Sequence, residues 1–189
     1  MSHPLSLRCA DRGFTLVELV IVIFLVGIIS AVAMSRLLEG DIFNASVVRD
    51  QLISLARSTQ QQALGRSDVA LIIRPNGDSL ELKTVEDFVN VTTFTELQSA
   101  TVDIRSVELA GDVNVTASCS ATPGTNAIGN TTPMVIRFNE LGDLLGGGVV
   151  GSSYPSTAST AMRICVNDDP LNSVCLSPAG FAYAGDCEL

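Results

Sequence analysis

A single histidine, His3, serves all 189 residues, and tryptophan is absent. A Ser–His–Asp centre in the body of the chain is thereby excluded. No Cys-x-x-Cys pair is present, and the one histidine lies at the extreme N-terminus, so the usual zinc donor sets are missing as well. Positive charge is scarce: 11 Lys and Arg stand against 20 Asp and Glu, for a formal net charge of −9. Residues 66–189 hold only Arg66, Arg74, Lys83, Arg105, Arg137 and Arg163 against fifteen carboxylates, with no basic run. Such a body repels a polyphosphate at long range, so nucleic acid is not expected as a partner. Gly146-Gly147-Gly148 lacks the lysine and the strand–helix context of a phosphate loop. Asp168-Asp169 reads as an exposed acidic turn rather than a calcium site. Neither an enzyme nor a cofactor or metal is expected from these residues.

What is present in quantity is apolar sequence, 47% of the chain, and one block of it is concentrated. Residues 14–35 read FTLVELVIVIFLVGIISAVAMS. As a helix these positions span about 33 Å, matching the roughly 30 Å hydrocarbon core of a bilayer. Arg8 and Arg12 precede the block and favour a cytoplasmic N-terminal end, while Arg36, Glu39 and Asp41 follow it at the far interface. The expectation is one membrane pass with the body outside the cytoplasm. Glu18 does not fit an ordinary anchor, because a carboxylate inside such a run costs about 2.5–3.5 kcal/mol. It calls for a cationic partner. Cutting after Gly13 would supply one, the new amine of Phe14. Cleavage as an ordinary signal peptide after Ala31-Val32-Ala33 would require an unusually long apolar stretch containing Glu18. An uncleaved signal anchor would leave that carboxylate unexplained.

Arg12-Gly13-Phe14-Thr15-Leu16-Val17-Glu18-Leu19 resembles the class III signal of type IV pilins and type II secretion pseudopilins. The resemblance implies that a prepilin peptidase cuts after Gly13, that the same enzyme methylates Phe14, and that Glu18 is the assembly carboxylate. Methylation leaves the amine protonated, so its pairing with Glu18 survives. In a packed bundle Glu18 can neutralise the N-terminal ammonium of a neighbour, which fixes axial register as well as lowering energy. The implied partners are other pilin or pseudopilin subunits, the prepilin peptidase, the inner-membrane assembly platform and inner-membrane lipid. The implied fold is α+β and pilin-like, a long N-terminal hydrophobic helix packed on an antiparallel β-sheet head.

The expected organisation is a leader at 1–13, the membrane and assembly half of the helix at 14–35, a helix packed on the head at 36–65, and a β-rich head at 66–189. Val48, Leu52, Leu55, Thr59 and Ala63 recur at helical spacing, and Gly65 offers a stop. A continuous helix from Phe14 to Leu64 would be about 76 Å long, although Gly40, Asp41 and Asn44 weaken its middle. Val69–Arg74 and Ser79–Thr84 flank Asn76-Gly77 and predict a hairpin. Further strands are expected at Val89–Thr95, Thr101–Leu109, Val113–Ala117, Met134–Phe138, Ala161–Val166 and Val174–Leu176. Ser118–Pro133 and Gly146–Thr160 read as loops.

Removal of residues 1–13 would take Cys9 and leave Cys119, Cys165, Cys175 and Cys187, an even set that points to two disulfides in an exported domain. Cys165 and Cys175 enclose nine residues, and closing that loop is the expected pairing, with Cys119–Cys187 tying a loop to the tail. Four cysteines permit three connectivities, and the other two stay open.

The C-terminal run Ile136–Gly142, Arg163-Ile164-Cys165-Val166 and Leu176–Gly180 is loosely similar to the subgroup that includes secretion pseudopilin H and minor pilin T. The residues Met1–Arg8, Gln51–Arg57 and Gln60–Gln62 resemble minor pilins of mannose-sensitive haemagglutinin (MSHA) pili. The implied role is a minor pilin at or near a pilus tip, priming assembly or supporting surface adhesion. A minor pseudopilin of a type II secretion system is the alternative. A DNA-uptake minor pilin is a third reading, opposed by the acidic tail Ala184–Leu189. Asn90-Val91-Thr92 and Asn114-Val115-Thr116 match glycosylation sequons, which read as chance in a bacterial-type prepilin.

Overall fold

The computed structural model describes residues 15–37, 40–105, 107–115, 119, 126–151 and 154–187, with backbone alone over 31–37 and 40–43. The chain divides into two units, Met1–Gly40 and Asp41–Leu189. The first contains helix α1, Leu16–Leu37. The second begins with α2, Gly40–Ala63, which takes up its N-terminal residue from the first. Two helices are thus assigned where one from Phe14 to Leu64 is the pilin-like expectation; residues 38 and 39 lie outside the described residues.

Among the described residues, ten strands follow α2. They are β1 Val69–Asn76, β2 Ser79–Asn90, β3 Thr93–Asp103, β4 Leu109–Val113, β5 Met134–Phe138, β6 Leu144–Val149, β7 Ser156–Thr157, β8 Met162–Val166, β9 Asp169–Leu176 and β10 Ala182–Ala184. All pairings are antiparallel, but they form two sheets: six strands in the order β3-β2-β1-β5-β6-β7, and four in the order β10-β9-β8-β4. The head is therefore α+β, as expected.

Helix α2 buries Ala45, Val48, Leu52, Leu55, Ala56, Thr59 and Ala63, the face its periodicity predicts. All of these but Thr59 share one core with Leu71, Ile73, Leu80, Leu82, Ile136 and Phe138 of the six-stranded sheet and with Met162, Ile164, Val174 and Leu176 of the four-stranded sheet. Alternation along each strand sends the intervening residues to the outer faces. Ala70, Ile72, Val85, Phe88 and Val135 there form a second cluster, with the Phe88 and Tyr154 rings edge to face at 6.4 Å.

The first hairpin forms one residue later than the Asn76-Gly77 signal implies. Asn76 pairs with Ser79, leaving Gly77-Asp78 as the two-residue loop. Gly77 supplies the positive φ of 62° that such a loop needs at its first central position.

The expected strand over Val89–Thr95 is split by a turn at Val91-Thr92, which separates the end of β2 from the start of β3. Asn90 Oδ1 accepts hydrogen bonds from the Thr92 N–H (2.9 Å) and hydroxyl (2.7 Å), a local turn that competes with extension. Thr101–Leu109 is likewise broken, because Asp103 Oδ1 accepts the Arg105 N–H at 3.1 Å and Ile104 N–H turns to Asp78 O. Val113 closes β4, and Asn114 and Val115 are not in a strand; residues 116 and 117 of the expected strand Val113–Ala117 lie outside the described residues.

Gly146–Thr160 is not simply a loop: it carries most of β6 and all of β7. A Cβ on Gly147 would overlap the Val135 carbonyl, and one on Gly146 the Ser156 carbonyl. The glycine run is thus where backbones approach too closely for side chains. In Ser118–Pro133, Asn126 and Ile128 exchange backbone bonds with Gly111 and Leu109, and Ala127 bridges Ala110, so the described part runs along β4.

Candidate functional site

The first unit is an N-terminal apolar helix with one carboxylate in its opening turn. Thr15 caps it: the Glu18 N–H donates to Thr15 Oγ1 at 3.2 Å, and the Leu19 N–H donates to the Thr15 carbonyl at 3.2 Å. Thr15-Leu16-Val17-Glu18 is also the S/T-x-x-E spacing of a capping box, a signal that a reading centred on Glu18's charge overlooks. An anion in the first turn is favoured by the partial positive charge of the helix N-terminus. Gly13 and Phe14, the expected cleavage and methylation positions, lie outside the described residues.

Around Glu18 the helix is apolar on every side. Each large hydrophobic side chain from Leu16 to Ile29 is at least 49% exposed. A helix apolar all round requires an apolar surrounding, lipid or other helices. Among the described residues no helix is long and apolar enough to cross a membrane. The side chains of α1 are described only to Ser30, short of the membrane pass expected over 14–35.

In the second unit, α2 holds both sheets through its polar side chains. Arg57 Nε donates to Ala182 O at 2.9 Å, and its guanidinium lies 4.8 Å from the Phe181 ring centroid. Gln60 Nε2 donates to Ala179 O (2.8 Å) and Gly142 O (3.2 Å). On the other flank Ser58 Oγ and Gln62 Nε2 donate to Gln98 Oε1 on β3, at 3.1 and 2.9 Å. Arg57, Gln60 and Gln62, singled out in the sequence for resemblance, therefore act inside the head as clips.

The cysteines pair differently from the expectation. The bridges are Cys119–Cys165 and Cys175–Cys187, with Cα separations of 5.9 and 5.2 Å. Cys165–Cys175 does not form because Arg163, not Cys165, stands opposite Cys175 in the β8–β9 register. The two cysteines are then diagonal neighbours, about 7–8 Å apart, beyond the reach of a bridge. Cys119–Cys187 fails with it.

Arg163 is the residue the sequence conceals. It is 4% exposed, with Nη2 donating to Asp112 Oδ2 at 2.7 Å and Nη1 to Asp186 Oδ1 at 2.8 Å. Its partners lie 51 and 23 residues away, so no local pattern announces them. Asp169, considered for calcium, spends its oxygens on its own turn, accepting from the Leu171 N–H (2.9 Å) and Asn172 Nδ2 (2.7 Å). Among the described residues no group of three or more His, Cys, Asp or Glu is placed to hold a metal.

The two units are thus an apolar helix exposed all round and a disulfide-bridged antiparallel head. The N-terminal segment is more specific: residues 8–34 match the family model of the prokaryotic N-terminal methylation motif, which is type IV pilin-like. A motif of that kind is found on type IV pilin-like subunits that a prepilin peptidase processes; the match covers residues 8–34 of the chain. No curated protein and no solved structure matches the chain.

Proposed function

We propose that the chain is a minor type IV pilin of the MSHA type, resembling the minor C subunit of those pili, which primes assembly or supports surface adhesion. The observation that supports the pilin-like part of this reading is the methylation motif at 8–34 running into a helix whose apolar side chains are exposed all round, with Glu18 in its first turn, while the MSHA assignment rests on the resemblance of Met1–Arg8, Gln51–Arg57 and Gln60–Gln62. Prepilin peptidase cuts after Gly13 and methylates the Phe14 amine. Glu18 is then the fifth mature residue. Its carboxylate costs energy in lipid and pairs with the ammonium of a neighbouring subunit when helices bundle. The head stands in the periplasm before assembly and on the filament afterwards.

Mass spectrometry of sheared pili tests the proposal. The expected N-terminal peptide begins at N-methylated Phe14. An N-terminus at Met34, or a chain retained whole in the membrane fraction, would end it. Recovery of methylated protein only in a secretion-system pseudopilus would move the subunit to that machine without changing its chemistry.

A further inference from the structure

The outer face of the four-stranded sheet has little apolar material to hold it. Met162, Ile164, Val166, Val174 and Leu176 belong to the main core, so alternation sends Arg163, Cys165 and Cys175 outward. Val115, Ala161 and Tyr183 pack there with Cys175 and Cys187. The last strand, β10, is three residues long and pairs with β9 at the sheet edge. So short an edge strand is not self-sustaining.

Besides the β10–β9 ladder, the Gly185 N–H bond to Ser173 O and the burial of Ala182 in the main core, side-chain bonds and one bridge hold the chain from residue 179 to 187 in place. Gln60 reaches Ala179 O, and Arg57 reaches Ala182 O and Phe181, both from α2. Asp186 reaches Arg163, the cross-strand partner of Cys175. The covalent bond from Cys187 to Cys175 fixes the residue next to Asp186. The bridge, the buried cation and the strap over α2 are therefore one connected arrangement.

We propose that Cys175–Cys187 is a redox latch for the strap of residues 179–187. Oxidised, it holds β10 against α2 and Asp186 against Arg163. Reduced, it releases the strap while the six-stranded sheet and the buried face of α2 stay folded. Opening breaks the S–S bond and forms two thiols, with two electrons and two protons supplied by a dithiol that is itself oxidised to a disulfide. The released strap frees Arg57 Nε from Ala182 O and withdraws Ala184 from an open groove on α2, whose lining residues Asp50, Ser54 and Arg57 are exposed even with the bridge closed. Cys119–Cys165 joins β8 to the chain beyond β4 and leaves the strap untouched. A latch of this kind closes on reaching an oxidising compartment; that link to export rests on the pilin reading, whereas the latch itself does not.

Hydrogen–deuterium exchange of the full chain in detergent tests the latch. The oxidised chain is compared with a Cys175→Ser/Cys187→Ser variant and with a Cys119→Ser/Cys165→Ser control. Residues 181–187 are expected to exchange on the order of 100-fold faster in the first variant, the magnitude a bridge closing a loop of this size contributes. Peptides from β1, β5 and the core face of α2 keep their protection, and the control keeps residues 181–187 slow. Unchanged exchange at 181–187, equal acceleration in β1 and β5, or the same acceleration in the control overturns the proposal. If the first variant fails to accumulate, adding dithiothreitol to the control, which retains only the Cys175–Cys187 bridge of these two, makes the same comparison. If the latch opens as described while Phe14 is unmethylated in assembled material, the pilin reading falls and the latch stands.

Discussion

The hydroxyls of Thr59 on α2 and Thr84 on β2 lie 2.7 Å apart with both side chains fully buried. Thr59 Oγ1 also donates to the Leu55 carbonyl at 2.8 Å, which uses its single proton. Thr84 is therefore the donor between the two. This buried chain joins the helix to the six-stranded sheet and satisfies both hydroxyls without water.

Thr59→Val keeps the shape and strands the Thr84 proton. It is expected to destabilise the head by about 1–3 kcal/mol, the cost of an unmet buried donor. Thr59→Val/Thr84→Val removes both hydroxyls and should regain part of that loss. Urea unfolding of the three chains in detergent measures the difference.

Arg163→Met removes a buried cation that two carboxylates share. A fully dry pair losing one partner costs about 3–5 kcal/mol, but the Asp112 and Asp186 side chains are 34% and 23% exposed and remain partly hydrated. The expected loss is thus about 1.5–3 kcal/mol, the range for hydrogen bonds to charged groups. Thermal unfolding at fixed pH provides the check, and adding Asp186→Asn to the variant should cost little more.

Glu96 gives a small acid dependence with a definite sign. The Ser99 hydrogen bond, then Lys83 at 3.3 Å, holds its carboxyl below the usual 4.5 against a weak opposing effect of burial. A depressed folded-state value means stability that is present above the ordinary carboxylate range and lost as pH falls through the folded-state value. Glu96→Gln should therefore be slightly less stable than the parent at neutral pH, and the two should converge in acid. Because the group is largely exposed, solvent and salt screen the effect, and the gap should shrink in high salt.

Glu18→Gln is expected to insert in the membrane as well as the parent and to be incorporated in filaments at least about tenfold less, a loss equivalent to about 1.4 kcal/mol. Immunoblots of membrane and sheared-filament fractions from the same cells measure both. Equal incorporation would show that the carboxylate serves only as the helix's first-turn anion.

What could be read in the residues follows the range of the interaction concerned. The apolar helix and the methylation motif are legible because each is a run of consecutive residues. The buried face of α2, the first hairpin and Met134–Phe138 follow from periodicity and turn chemistry within a few positions. Missed elements involve competition. Asn90 and Asp103 fold back on their own backbone within otherwise strand-like sequence, and Gly146–Gly148 reads as a loop until β5 and β7 are seen pressing on it.

By itself, then, the sequence determined the N-terminal signal, the helix that buries Val48 to Ala63, and an antiparallel head rich in strands. Tertiary structure decided the partition into two sheets, the pairing of Cys119 with Cys165 and Cys175 with Cys187, and the burial of Arg163 between Asp112 and Asp186. The reason is geometric. Local signals depend on spacings of two to four residues along the chain, whereas a cross-link or ion pair depends on strand register, which is fixed only when the whole core assembles.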